Sequence, residues 1–100
     1  MNDYDCRQLH VMLDKINLFE TNKIPLIYLI GDLEALINVL EEKDLDWQKK
    51  MRGEWWDLEQ VYAMALYKEK KNFDKEDQII ISEAIENFKH LIKLKLNSNQ

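Results

Sequence analysis

Pro25-Leu26-Ile27-Tyr28-Leu29-Ile30-Gly31-Asp32-Leu33-Glu34-Ala35-Leu36-Ile37-Asn38-Val39-Leu40 is the stretch on which the fold turns. Leu26, Leu29, Ile30, Leu33, Leu36, Ile37 and Leu40 recur at the three- and four-residue spacing of a single helix face. Pro25 suits the first turn of that helix, because its missing N–H has no intrahelical partner there. Gly31 interrupts the pattern and weakens a helix by about 1 kcal/mol relative to alanine, which points to a close crossing with a neighbour. A leucine seam this continuous must be covered by other helices.

Three further segments supply the cover. The first runs from about Asp3 to Phe19, with Leu9, Met12, Leu13, Ile16 and Phe19 on one face, and Thr21-Asn22 breaks it. The acidic stretch 41–46 reads as a connection, with Asp44 or Asp46 capping a third helix that runs to about Lys70. Trp47, Met51, Trp55, Leu58, Tyr62, Ala65 and Leu66 form its expected inner face, and Gly53 is expected to bend it or admit a neighbour. Lys68, Lys70 and Lys71 then favour its C-terminal dipole, and Asn72 ends it. Asp74 is a good cap for a fourth helix, with Glu76 and Asp77 in the first turn and Ile81, Ala84, Ile85, Phe88, Leu91 and Ile92 facing inward. The chain is expected to fray from Asn97 onward. Short connections between long helices imply an antiparallel, up-and-down four-helix bundle, a single all-α domain over residues 1–100.

Composition agrees. Only two glycines and one proline in 100 residues leave little material for the tight turns of a sheet, and 46% hydrophobic residues suffice for a core. A lone Cys6 cannot form an internal disulfide, the Met1–Asp5 start lacks the basic and apolar regions of a signal peptide, and the longest apolar run, 24–30, is too short to span a bilayer. The expected location is the cytoplasm.

The net charge of −5 is unevenly placed. Residues 32–59 carry nine acids against four bases, a balance of −5, while residues 1–31 balance to −1 and residues 60–100 to +1. Such a field repels nucleic-acid phosphates and attracts basic partners. The alternative is an acidic face that does no more than keep the protein solvated. The three tryptophans fall in the same third. Trp55 shares a stripe with Met51, Leu58 and Tyr62, whereas Trp56 is rotated by about 100° onto the side of Arg52, Glu59 and Gln60. Two adjacent indoles cannot both enter one seam, so Trp56 belongs either at a core edge or on a binding surface.

Catalytic chemistry finds little support. His10 and His90 lack the inward-facing carboxylates of a bundle metal site, since Glu86 and His90 both fall outside the apolar stripe of the fourth helix. Cys6 and His10 are one turn apart, but near a fraying terminus. Phosphate-binding loops, nucleophile elbows and paired zinc cysteines do not occur. The expectation is a protein–protein module with no enzyme activity, no cofactor, no metal, no nucleic acid and no membrane partner.

The string Leu29-Ile30-Gly31-Asp32-Leu33-Glu34-Ala35-Leu36, followed by Trp47, by Trp55-Trp56-Asp57-Leu58-Glu59 and by Val61-Tyr62-Ala63-Met64-Ala65-Leu66, resembles a family of small bacterial helical immunity proteins. These are encoded beside polymorphic toxins, including those of contact-dependent growth inhibition. The resemblance spans roughly residues 15–95. Members often have a small residue or threonine before the last helix, where this chain has Phe73-Asp74. What it implies is neutralisation of a cognate toxin domain, a basic nuclease above all, by a chain that is monomeric when free and heterodimeric with its toxin. Asp32, Glu34, Glu41, Glu42, Asp44 and Asp46 are then candidates for pairing with toxin lysines and arginines. Glu54, Asp57 and Glu59 extend that surface if the second and third helices are adjacent, and Trp56 is the candidate apolar anchor. The competing expectation is a self-associating structural or adaptor module without a toxin partner.

Overall fold

Four helices form, each with an identifiable start, in a computed structural model that describes residues 1–42 and 44–98. Helix α1 spans Asp3–Glu20, α2 Leu26–Asn38, α3 Leu45–Tyr67 and α4 Lys75–Asn97. Asn2 caps α1 by accepting from the Asp5 N–H, and Asp44 caps α3 by accepting from the Trp47 N–H. Asp74 and Asp77 form a reciprocal capping box on α4. Pro25 stands one position outside α2, at its N-cap, rather than in the first turn. Asp46 lies in the first turn of α3, so Asp44 alone is that helix's cap.

The helices run up and down around a square: α1 packs on α2 and α4, and α3 packs on α2 and α4, with no close backbone approach across either diagonal among the described residues. The result is an antiparallel four-helix bundle, 44 × 26 × 20 Å. Its core takes Leu9, Met12 and Ile16 from α1, the whole expected seam of α2 except half-buried Leu36, Met51, Leu58 and Val61 from α3, and Ile81, Ala84, Ile85, Phe88 and Ile92 from α4. Trp47, Trp55 and Tyr62 are half-buried at the flanks of α3, packed against that core.

Several expectations are corrected. Leu66, placed in the core by periodicity, is 61% exposed, because α3 has by then run to the end of the bundle, whereas Val61 is buried. The third helix stops at Tyr67, five residues before Asn72. It closes with the Glu69 N–H bonded to the Leu66 carbonyl and the Lys70 N–H to the Ala65 carbonyl, a reversal that forces Glu69 to φ 54°. Lys70 therefore lies beyond the helix and instead bonds Asp74 and Asp77 at 2.7 and 2.9 Å. Neither glycine serves a close approach. Gly31 and Gly53 are exposed, and a Cβ at either would meet no heavy atom within 4 Å. Of the frayed end expected from Asn97 onward, Asn99 and Gln100 lie outside the described residues, as does Lys43 of the α2–α3 connection.

Candidate functional site

One end of the bundle gathers the start of α1, the α2–α3 connection and the last turn of α4. Asp5 builds it. The carboxylate is buried and accepts the Glu41 and Glu42 N–H groups, one on each oxygen, both at 2.9 Å. Those two donors follow the end of α2 and have no helical partner of their own, so a charged acceptor from α1 satisfies both and fixes the path of the chain toward α3. Gln48 adds a 2.7 Å bond from its amide nitrogen to the Glu42 carbonyl. Asn2 donates to the Glu41 side chain at 3.2 Å.

With the backbone fixed, Glu41, Glu42, Asp44 and Asp46 point their charges to one end. Glu42, Asp44, Leu45, Asp46 and Lys95 line an open groove of about 620 Å³. Leu45 is 72% exposed within it, an apolar side chain rimmed by acids. Lys95 comes across from α4 to bond Asp44 at 2.7 Å and sits over the Trp47 ring, 5.5 Å from its centroid. The Lys95 hydrogen bond, and after it the Trp47 N–H, hold the Asp44 carboxyl below the usual aspartate range. Asp44 is thereby held in the ionised form, paired with Lys95.

The remaining sequence candidates are dispersed. Asp32 faces α1, where Lys15 approaches it at 3.4 Å. Glu54 is half-buried on the opposite flank of α3 and accepts from the Asn87 amide of α4 at 2.8 Å. Glu34 is exposed on α2, Asp57 is exposed on α3, and Glu59 is half-buried. The packing of α2 on α3 is what separates Glu54 from Glu59: one helix flank looks to α4 and the other to α2. The indoles mark the same division. Trp47 donates to the Leu91 carbonyl of α4 and Trp55 to the Ile30 carbonyl of α2, each at 2.9 Å. Both use the one polar atom of the ring to secure α3 to a neighbour.

Trp56 has no such bond and is 55% exposed. It lies about 15 Å along α3 from Asp46. Its neighbours one turn away are Arg52, Gly53, Glu59 and Gln60, a set of mixed sign rather than a ring of carboxylates. Arg52 is held by the Asn38 side chain at 2.9 Å. The exposed indole and the acidic groove are two separate features.

Sequence reasoning missed three residues of the acidic end: Asp5, Leu45 and Lys95. Lys95 carries no spacing signal that points to this end, and the antiparallel topology is what carries it to the α2–α3 connection. Among the described residues, no group of three or more His, Cys, Asp or Glu side chains is arranged to hold a metal ion. No described helix is long and apolar enough to cross a membrane. His10, Glu86 and His90 are exposed, and Cys6 is half-buried. No protein-family model, curated protein or solved structure matches this chain.

Proposed function

We propose that this chain is a docking module whose acidic end captures a basic protein, and that the protein it captures is a toxin domain, which it neutralises as an immunity protein does. The observation that carries the docking reading is the groove at the α2–α3 connection, with exposed Leu45 among Glu42, Asp44 and Asp46. An interface needs an apolar centre that excludes water and a polar rim that orients the partner, and this end presents both. Complementary charge accelerates encounter and disfavours acidic competitors. In this reading Leu45 is the anchor at the docking end, with Glu41, Glu42, Asp44 and Asp46 pairing with lysines and arginines of the partner. Asp32, beside α1, and Glu54, beside α4, lie outside this groove and contribute only to the general field.

The toxin as partner is supported by the sequence resemblance quoted above and by the chemistry of nucleases, which present basic clefts to phosphates. A rigid acidic end fits such a cleft as a phosphate mimic. Co-expression with a toxin domain encoded beside this gene should restore growth, and the two chains should co-purify. Failure to restore growth, with no complex between the purified chains, would sink this reading.

A further inference from the structure

We infer that the outward face of α3 is a self-complementary surface on which a second copy of this chain docks, antiparallel helix to antiparallel helix, crossing at Gly53. The proposed seam adjoins the acidic groove at Asp46, and its test is separate because the variants at positions 50, 53 and 57 leave every groove residue unchanged.

Gly53 is an anomaly that the bundle does not explain. It sits in the middle of a 23-residue helix, exposed, with nothing within 4 Å of the position a Cβ would take and without the positive φ that would favour glycine. A glycine there weakens the helix and serves no contact inside the molecule. Its absent side chain does permit another helix to approach the backbone closely.

The residues around it say which helix fits. Lys49, Lys50, Trp56 and Asp57 are all exposed, and among the described residues none of the three charged groups has an ion-pair partner within 4 Å in the chain, Lys50 acting on Asp44 only at longer range. Seen down α3 with Gly53 at the centre, Lys50 and Asp57 fall on one flank and Lys49 and Trp56 on the other, by the rotation of about 100° per residue. When two copies of one helix pair antiparallel about a two-fold axis, each flank meets the same flank of the other copy. Position 50 then lies beside position 57 of the second copy, and position 49 beside position 56, each with an axial offset of only about 1.5 Å.

The pairing sets Lys50 against Asp57 of the second copy and Lys49 over the Trp56 ring of the second copy. The two-fold axis repeats both contacts, giving two ion pairs and two cation–π contacts across one glycine crossing. Further out, Gln60 meets Asp46 of the second copy, a donor against an acceptor. Like charges do not coincide at any of these positions, although each chain carries a net charge of −5. A seam one helix wide buries less than the roughly 800 Å² per partner of a standard stable interface, so the association is weak and concentration-dependent.

Sedimentation of the purified chain alone, from about 10 to about 500 µM near physiological salt, should show reversible monomer–dimer exchange. Lys50→Glu and Asp57→Lys should each weaken it by about tenfold or more, because each turns two attractive pairs into two repulsive ones. Mixed in equal amounts, those two variants should recover a dimer of one copy of each, since every 50–57 contact is then attractive. Gly53→Leu should be monomeric and at least as heat-stable as the parent, because leucine is the better helix former and Gly53 faces open space. A parent chain that stays monomeric throughout would overturn the inference and leave this face to a different protein. So would a dimer indifferent to all three substitutions, or a mixture that fails to recover association.

Discussion

Asp5, the one buried polar side chain among the described residues, uses both of its oxygens on backbone N–H groups of Glu41 and Glu42. Asp5→Ala should lower unfolding stability by about 2–3 kcal/mol in urea, since it strands two donors in a part-buried corner. A loss below about 0.5 kcal/mol would show that water replaces the carboxylate freely. The ionisable groups at the surface set the pH response. Asp44 is lowered first by the Lys95 hydrogen bond, and Asp74 first by that of Lys70. Their contribution is therefore complete above the unfolded aspartate value, about 3.9, and is lost as pH falls through the lower folded values. Lys70, raised by its bonds to Asp74 and Asp77, and Lys89, raised chiefly by its bond to Glu20, contribute fully below about 10.4 and lose that contribution as pH rises through the higher folded values. Melting temperature should thus be flat between about pH 5 and 9 with respect to these four groups. Asp44→Asn with Asp74→Asn should flatten the acid limb, and an unchanged limb would assign it to other carboxylates. The caps Asp44 and Asp74 were legible in the sequence, whereas the role of Asp5 was not, because its partners are backbone groups 36 and 37 residues away. Helical spacing reports which face a residue shares, not what a distant loop brings to it.

Helix α3 shows where periodicity succeeds and where it stops. Met51, Leu58 and Ala65 are buried as their spacing demands, and Trp47 and Trp55 flank them. The end of the helix was not readable, because its left-handed closing residue is Glu69 rather than glycine or asparagine. A glutamate in that conformation is strained by roughly 1 kcal/mol. Glu69→Gly should therefore raise the melting temperature by several degrees, on the order of the 4–8 °C expected per kcal/mol for a domain of this size. A fall in melting temperature would mean that the glutamate makes a compensating contact. Helix α1 ends in the same type of reversal at Asn22, φ 62°, a residue that tolerates it and that the sequence did mark as a breaker. In α2, Gly31→Ala should stabilise by up to about 1 kcal/mol, because φ is negative and the space beside it is open. Destabilisation would restore the tight crossing that the sequence suggested.

At the scale of the whole molecule, the antiparallel bundle followed from four amphipathic segments and three short connections. The distribution of the acidic candidates did not follow, because a wheel cannot say which neighbour each flank will meet. Once α2 and α4 take the two sides of α3, Glu54 turns to Asn87, Trp55 to Ile30 and Trp56 to solvent. Asp32 is drawn to Lys15 on α1. The acidic surface contracts from a band across residues 32–59 to the end formed by Glu41, Glu42, Asp44 and Asp46, with Leu45 exposed among them. The central claim is that this end meets a basic partner. Its most direct test is the association rate between the proposed partner, a toxin domain encoded beside this gene, and either this chain or its Glu41→Gln, Glu42→Gln, Asp44→Asn, Asp46→Asn variant, measured across ionic strength. The substitutions keep side-chain size and an acceptor for the α3 cap but break the Asp44–Lys95 and Glu42–Met1 ion pairs, so the difference reads charge once the variant's melting temperature matches the parent's. The variant should associate about tenfold or more slowly at low salt, with the two rates converging as salt screens the field. Equal rates at every ionic strength would contradict the claim.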